Sequence, residues 1–268
     1  MAVTFAIRRL FPFGVEIEHD LAEPLAPSLA YHLRELWREH GLVLARGQNL
    51  SMERQRALCA LLGPVLERAG EGPSLSNEGG GPSASALNWH SDAAYTEAPF
   101  DALCLHAIAV ENEASSTRFV SAEQAWVELP DDVRCALAGA QQEMISPHFS
   151  QLAGVTCDDP APQAMKRGIR PCVLENPHNG RQCLWVSALQ TAGVLGMDRE
   201  ASRALLHTVF DFAYAPARVF EHRWRKGDVI FWDNFALQHA RGDLVGVGKR
   251  VLQRVIVGRE GVAPHIAG

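Results

Sequence analysis

The sequence predicts a mainly β fold with helices packed on its outside, a sandwich or a barrel. Three observations predict it. Short runs of strand-forming residues recur along the chain, segments with helical periodicity are few, and neither an internal repeat nor a clean linker divides the sequence. Strands that bury a face and helices that bury a stripe are satisfied together by layered packing around a shared core. A length of 268 residues is long for the usual domain but within the range of one barrel, so residues 1–268 are expected to form a single domain.

The elements follow in order. Residues 1–20 alternate apolar and polar (Val3, Phe5, Ile7, then Val15 and Ile17), which reads as one or two short strands. From Pro24 to His40, Leu25, Leu29, Leu33, Leu36 and Trp37 recur at helical spacing, and Gly41 marks the end. Leu42-Val43-Leu44-Ala45 is a short buried strand. Ser51 can cap a helix running to about Leu62, with Arg54 where a capping box would place Glu. Residues 67–86 are rich in Gly, Ser, Pro and Glu without periodicity and are expected to be a loop, either a lid beside the motif that follows it or a disordered connector.

Two strand-like runs lie between Trp89 and Val110, split by Glu97-Ala98-Pro99, and a third is Arg118-Phe119-Val120. Residues 123–129 and 131–140 read as helices, and 145–169 as a second long loop and lid candidate. Cys172 to Val186 is a hairpin turning around Asn179-Gly180. A helix spans 198–212, and strands cover 218–225, 228–232 and 250–257.

Composition excludes several classes. A net charge of −6 provides no general attraction to nucleic acid or anionic membrane, so an anionic ligand has to be held by local arginines. No run approaches the roughly 20 apolar residues of a membrane span. The N-terminal charges, Arg8 and Arg9, follow the short apolar run, the wrong order for a secretory signal. The six cysteines contain no Cys-x-x-Cys and read as free thiols of a reducing cytoplasm.

The chemistry concentrates in two stretches. In Asn88-Trp89-His90-Ser91-Asp92, an extended backbone points His90 and Asp92 to one side. Near the C-terminus, Phe231-Trp232-Asp233-Asn234 leads to His239, followed by a loop punctuated by Gly242, Gly246 and Gly248. Two histidines and one carboxylate form the set that binds non-haem Fe(II) on one face and leaves the other open. Arg250 and Arg254 are four residues apart and share a face of a strand. Alone they fit surface salt bridges; beside a metal they suit a carboxylate co-substrate, which arginine grips with two parallel hydrogen bonds.

The order His90-x-Asp92, His239, and an arginine eleven residues later resembles the Fe(II)/2-oxoglutarate dioxygenases of the taurine dioxygenase and chlorophenoxyacetate dioxygenase (TauD/TfdA) type. Gly41 to Gln48, Ser115-Ser116-Thr117-Arg118-Phe119 and Trp232-Asp233-Asn234 before Gln238-His239 are also family-like, so the resemblance covers nearly the whole chain. It implies a double-stranded β-helix, a jelly roll of the cupin kind. It implies His90, Asp92 and His239 as Fe(II) ligands, Thr117 and Arg250 on the distal carboxylate of 2-oxoglutarate, and Arg254 by the metal-proximal carboxylate or an acidic substrate group. The activity implied is an O2-dependent oxidation of a C–H bond with release of succinate and CO2. Ser115-Ser116 replaces the family's paired glycines, and Ala86 replaces an asparagine before the motif, which argues against taurine itself. Asp92 separates the chain from the halogenating relatives, which lack that carboxylate.

Asn88, Tyr95, Phe149 and Trp185 are the candidate substrate contacts, and ordinary core packing is the plainer reading of the three aromatic ones. The partner expected is a small organic molecule, acidic or a natural-product intermediate, with no nucleic acid and no membrane; a homo-oligomer is compatible with the sequence. Two other readings use the same three ligands: a zinc hydrolase or lyase on a cupin-like barrel, and a non-catalytic small-molecule-binding barrel.

Overall fold

A computed structural model describes residues 4–67, 74–77, 85–111, 115–147, 154–158 and 165–259. The N-terminal part contains β1 (Ala6–Arg9), β2 (Val15–Glu18), α1 (Pro27–His40), β3 (Leu42–Ala45), α2 (Met52–Cys59), β4 (Val65–Leu66), β5 (Ser74–Ser76) and β6 (Leu87–His90). The middle contains β7 (Ala102–Val110), β8 (Ser116–Ser121), α3 (Ala122–Glu128), α4 (Asp131–Leu137), β9 (Gln141–Ile145), β10 (Arg167–Pro171), β11 (Val173–Glu175), β12 (Gln182–Leu184) and β13 (Thr191–Val194). The chain closes with α5 (Arg199–Ala213), β14 (Val219–Arg223), β15 (Val229–Asp233), β16 (Leu237–Arg241) and β17 (Arg250–Val257).

Two sheets face each other as a jelly roll, the double-stranded β-helix. Among the described residues the larger runs β1-β2-β3-β15-β7-β17-β4, with β5 also on β17, and the smaller runs β14-β8-β16-β6. Neighbours are antiparallel except β2 and β3. Side chains alternate across a strand, and here both faces are buried, so successive residues enter different cores. Leu42, Leu44, Leu103, Leu105, Ile230 and Trp232 of the larger sheet meet Phe119 and Leu237 of the smaller one between the sheets. Val43, Phe231 and Val255 face outward, against Leu33 and Trp37 of α1 and Leu58 of α2. On the far side, Trp89, Val120 and Ala240 pack under Ala125 of α3 and Leu206 and Phe210 of α5.

Local chemistry sets the helix ends. Pro27 opens α1, where its missing N–H costs nothing, and Gly41 closes it at φ 69°, its N–H donating to the Trp37 carbonyl. Ser51 caps α2 by accepting from the Arg54 N–H, and Asp198 caps α5 by accepting from the Ala201 N–H. The hairpin of β11 and β12 turns through Gly180 at φ 76°.

Several boundaries differ from the sequence expectation. α2 ends at Cys59 and α4 at Leu137, each earlier than periodicity suggested. Residues 67–86 are not loop throughout: β5 forms inside them, its backbone pairing with Val251, Leu252 and Gln253. That strand is made by an edge of β17, not by a pattern of its own, which is why periodicity misses it. Within 145–169, Ile145 belongs to β9, Thr156–Asp158 form a short 3-10 turn and β10 starts at Arg167. Residues 68–73, 78–84, 148–153 and 159–164 of the two expected lids lie outside the described residues. His239, to which the sequence assigns no element, sits in strand β16. Among the described residues no helix is long and apolar enough to cross a membrane.

Candidate metal centre and co-substrate pocket

The inner face of the smaller sheet brings two imidazoles together. The register sets His239 of β16 directly opposite His90 of β6, and their ring centroids are 4.1 Å apart. Asp92 joins them from the turn after β6, not from an extended strand. Asn234 fixes that turn: its Oδ1 accepts the Asp92 N–H at 2.8 Å, and its Nδ2 donates to the Asp92 carbonyl at 2.9 Å and the Phe100 carbonyl at 3.0 Å. Ala93, next in line, takes φ 57°, a conformation that a non-glycine residue holds only when its surroundings enforce it.

Asp92 Oδ1 lies 3.2 Å from His90 Nε2 and 4.0 Å from His239 Nε2. One ligand atom from each residue falls within 4.8 Å of the others. His90 Nδ1 donates to the Asn88 carbonyl at 2.8 Å, which leaves the Nε2 lone pair aimed at the shared point. Burial, then the neighbouring His90, pushes His239 down to about 3, so its imidazole stays neutral. Burial alone would raise Asp92, but the neighbouring side chains of His90, His239 and Arg254 hold it well below the usual carboxylate range. Two imidazole nitrogens and a carboxylate oxygen, gathered in one cavity, fit a divalent first-row metal with open positions.

That cavity, about 330 Å³, lies between the sheets. His90, Asp92 and His239 form one end, and Thr117, Arg250 and Arg254 also line it. Leu75, Leu87, Leu103, Leu105 and Trp232 supply apolar wall, and Arg241 and Ser76 complete the lining. Arg250 is 2% exposed; burial, then the nearby Arg241, pushes its guanidinium down to about 9. Its Nε has no hydrogen-bond partner among the described residues. A buried cation with an unpartnered donor calls for an anion. Thr117 Oγ1 accepts from Trp224 Nε1 at 2.9 Å, leaving its own hydroxyl proton to donate.

The candidate substrate contacts fare differently. Trp185 is 2% exposed, stacks on Phe235 at 5.3 Å and donates from Nε1 to the Ala94 carbonyl; it does not line the cavity. Tyr95 packs with the same cluster of Ala94, Met144, Trp185 and Phe235. Asn88 turns its side chain to the Gly154 carbonyl and the Trp89 N–H, and what it gives the site is its own carbonyl, holding His90. Phe149 lies outside the described residues. Sequence reasoning missed Arg241, whose signal was its two-residue spacing from His239, and Leu75, which carried none. A second group, Cys157, Asp158 and His207, also gathers ligand atoms within 4.8 Å. There Asp158 is already answered by His207 at 2.7 Å, Arg203 at 3.9 Å and a backbone contact from Arg199.

Comparison with known proteins agrees with this geometry. The family model described as taurine catabolism dioxygenase TauD, TfdA family, matches residues 6–256. The alpha-ketoglutarate-dependent 2,4-dichlorophenoxyacetate dioxygenase of Cupriavidus pinatubonensis is 28% identical over 255 residues, covering 86% of this chain and 88% of that protein. The (S)-phenoxypropionate/alpha-ketoglutarate-dioxygenase of Sphingobium herbicidovorans is 26% identical over 235 residues, covering 77% of this chain and 78% of that protein. The crystal structure of a taurine dioxygenase from Burkholderia xenovorans superposes with a TM-score of 0.79 at 22% identity, covering 97% of this chain and 93% of that one, a likeness of fold. These matches set the chain apart from zinc hydrolases and non-catalytic barrels. It belongs to the TauD/TfdA family of 2-oxoglutarate (alpha-ketoglutarate)-dependent dioxygenases.

Proposed function

We propose that the protein hydroxylates a C–H bond of a small acidic organic or natural-product molecule, with Fe(II) held by His90, Asp92 and His239. The observation that carries this reading is the convergence of those three ligand atoms in a cavity that the buried Arg250 also lines. Fe(II) and 2-oxoglutarate, when bound, supply the oxidative decarboxylation with O2 that yields succinate, CO2 and the oxidising power for the C–H bond.

The chain's own residues bind, orient and exclude water. Asn234 holds the Asp92 backbone so that its carboxylate faces both imidazoles, and the Asn88 carbonyl fixes the His90 ring. Arg250 and Thr117 take the distal carboxylate of 2-oxoglutarate, and Arg254 faces the metal-proximal carboxylate or an acidic group of the substrate. The leucines and Trp232 keep bulk water from the reacting C–H bond. Among the lining residues three guanidiniums stand against one carboxylate. The buried Arg250 and the half-buried Arg241 favour anionic ligands in this cavity, which supports a substrate that carries a negative group. The two curated relatives are named for carboxylate substrates, which supports the same class.

The test is succinate release across aryloxyalkanoates, sulfonates, sulfate esters, amino acids and natural-product acids. Turnover should require both Fe(II) and 2-oxoglutarate and stop in Asp92→Ala. Arg250→Ala should raise the 2-oxoglutarate requirement by at least about 30-fold while metal still binds, because it removes a buried charge-assisted contact. Turnover with Zn(II) and without 2-oxoglutarate would sink the reading. An unchanged co-substrate requirement in Arg250→Ala would remove that residue from its role.

A further inference from the structure

Assigning the distal carboxylate to Arg250 and Thr117 leaves a second, half-buried guanidinium in the same cavity unexplained. Arg241 ends β16, two residues beyond His239, and lines the cavity with it. The pairing of β8 with β16 sets Ala240 beside Arg118, so one step further Arg241 lies beside Thr117 on the inner face. Arg250 approaches from the opposite sheet. Three residues from three strands thus surround one part of the cavity, beyond the metal ligands.

The charges there are unbalanced. Arg241 acts on Arg250 strongly enough to depress it, after burial, and Arg241 is itself lowered by burial. The acidic group acting on Arg241 is Asp243, which is exposed and does not line the cavity. Nε of Arg241 and Nε of Arg250 both lack a hydrogen-bond partner among the described residues. One Nη of Arg241 donates to the Ser85 carbonyl at 2.6 Å, which fixes the guanidinium but does not neutralise it. Two like charges that share a cavity, one buried and one half-buried, repel each other unless an anion lies between them. A planar carboxylate presents two oxygen edges, one to each fork.

We propose that Arg241 is a co-substrate-binding residue: the distal carboxylate of 2-oxoglutarate lies between Arg241 and Arg250, with the Thr117 hydroxyl donating to it as well. The proposal rests on the 2-oxoglutarate reading above and deepens it. It makes the pocket selective for a 2-oxo acid with a charged tail, since a neutral tail would leave the buried Arg250 and the half-buried Arg241 without an anion between them.

Calorimetric titration of Mn(II)-loaded protein tests this without turnover. The ligands are 2-oxoglutarate and 2-oxovalerate, which keeps the chelating end and lacks the distal carboxylate. In Arg241→Leu, 2-oxoglutarate should bind at least about tenfold more weakly while 2-oxovalerate changes by less than roughly twofold. Arg241→Lys should keep much of the preference, because it keeps the charge while losing the fixed bond to Ser85; Arg241→Gln should lose the preference. These two variants decide the matter if the leucine variant does not fold. Unchanged 2-oxoglutarate affinity in Arg241→Leu and Arg241→Gln overturns the proposal. So does an equal loss for both acids, which would make Arg241 a support for the Ser85 segment alone. Wild-type protein that binds neither acid with Mn(II) overturns the co-substrate reading itself, a different result from either.

Discussion

Asp92 and Asp233 lie on either side of Asn234, and they are used in opposite ways. Asp233 is fully buried and its acceptor positions are filled. Its Oδ1 accepts the Phe235 and Ala236 N–H groups at 2.8 and 3.1 Å, and its Oδ2 accepts from Asn176 and from His178 Nδ1, both at 2.9 Å. Asp92 has its backbone pinned by Asn234, but its carboxylate faces two imidazoles across a cavity. The histidines follow suit. Burial would lower His178, but hydrogen bonds to Asp101 and Asp233 raise it to about 9, whereas burial takes His239 down to about 3. Saturation marks the carboxylate that builds the turn, and its lack marks the carboxylate that the turn exists to present.

The sharpest way to break that contrast is Asp233→Ala. It strands the His178 cation with Asp101 alone, at 3.4 Å, and frees two turn N–H groups. The expected cost is about 3–5 kcal/mol, read from the denaturant midpoint. A variant as stable as wild type would show that the knot under the turn contributes nothing.

The pH dependence of stability tests the same knot with less force. His178 is raised from 6.5 unfolded to about 9 folded, so its contribution is complete below about pH 6.5 and is lost as pH rises through 9. The whole effect is on the order of 3 kcal/mol. Stability should fall between pH 7 and 9.5 in wild type, and His178→Asn should flatten that fall. An equal slope in the variant would place the titration elsewhere.

Asn234→Ala probes the link between the two carboxylates. Asp92 keeps its side chain but loses the clamp on its backbone. Metal affinity should drop about 10–100-fold, the usual consequence of removing a partner that orients a ligand. Unchanged affinity would mean that Ala93 and the strand hold the turn unaided.

How much of this was legible beforehand depended on what each residue's neighbours are. His90, Asp92 and His239 stood out because their chemistry is unusual and their spacing informative. The strand containing His239 did not: Leu237 to Ala240 are buried on both faces, so no apolar/polar alternation marks it. Arg241 was lost with it, since the parity that linked Arg250 to Arg254 applies to His239 and Arg241 only once 237–241 is a strand. β5 owes its existence to the partner strand β17, and no local pattern records a partner. The outer helices were easier, because α1 and α5 each bury a single stripe. Aromatic composition alone could not separate a pocket wall from a core.

Trp185 therefore gives the mildest test, and one that bears on the whole contrast. The sequence offers it as a candidate substrate contact, but its indole is already satisfied: Nε1 donates to the Ala94 carbonyl at 3.3 Å, and its ring stacks on Phe235 at an interplanar angle of 20°. Phenylalanine preserves the stack and loses one hydrogen bond and part of a ring. Trp185→Phe should cost about 1–2 kcal/mol of stability, the price of one unpaired buried carbonyl and a small cavity. It should leave affinity for 2-oxoglutarate and the choice of substrate unchanged, because the ring does not line the cavity. A shift in substrate preference at full stability would place a saturated side chain at the substrate, and saturation would then no longer separate the groups that build this site from those that work in it.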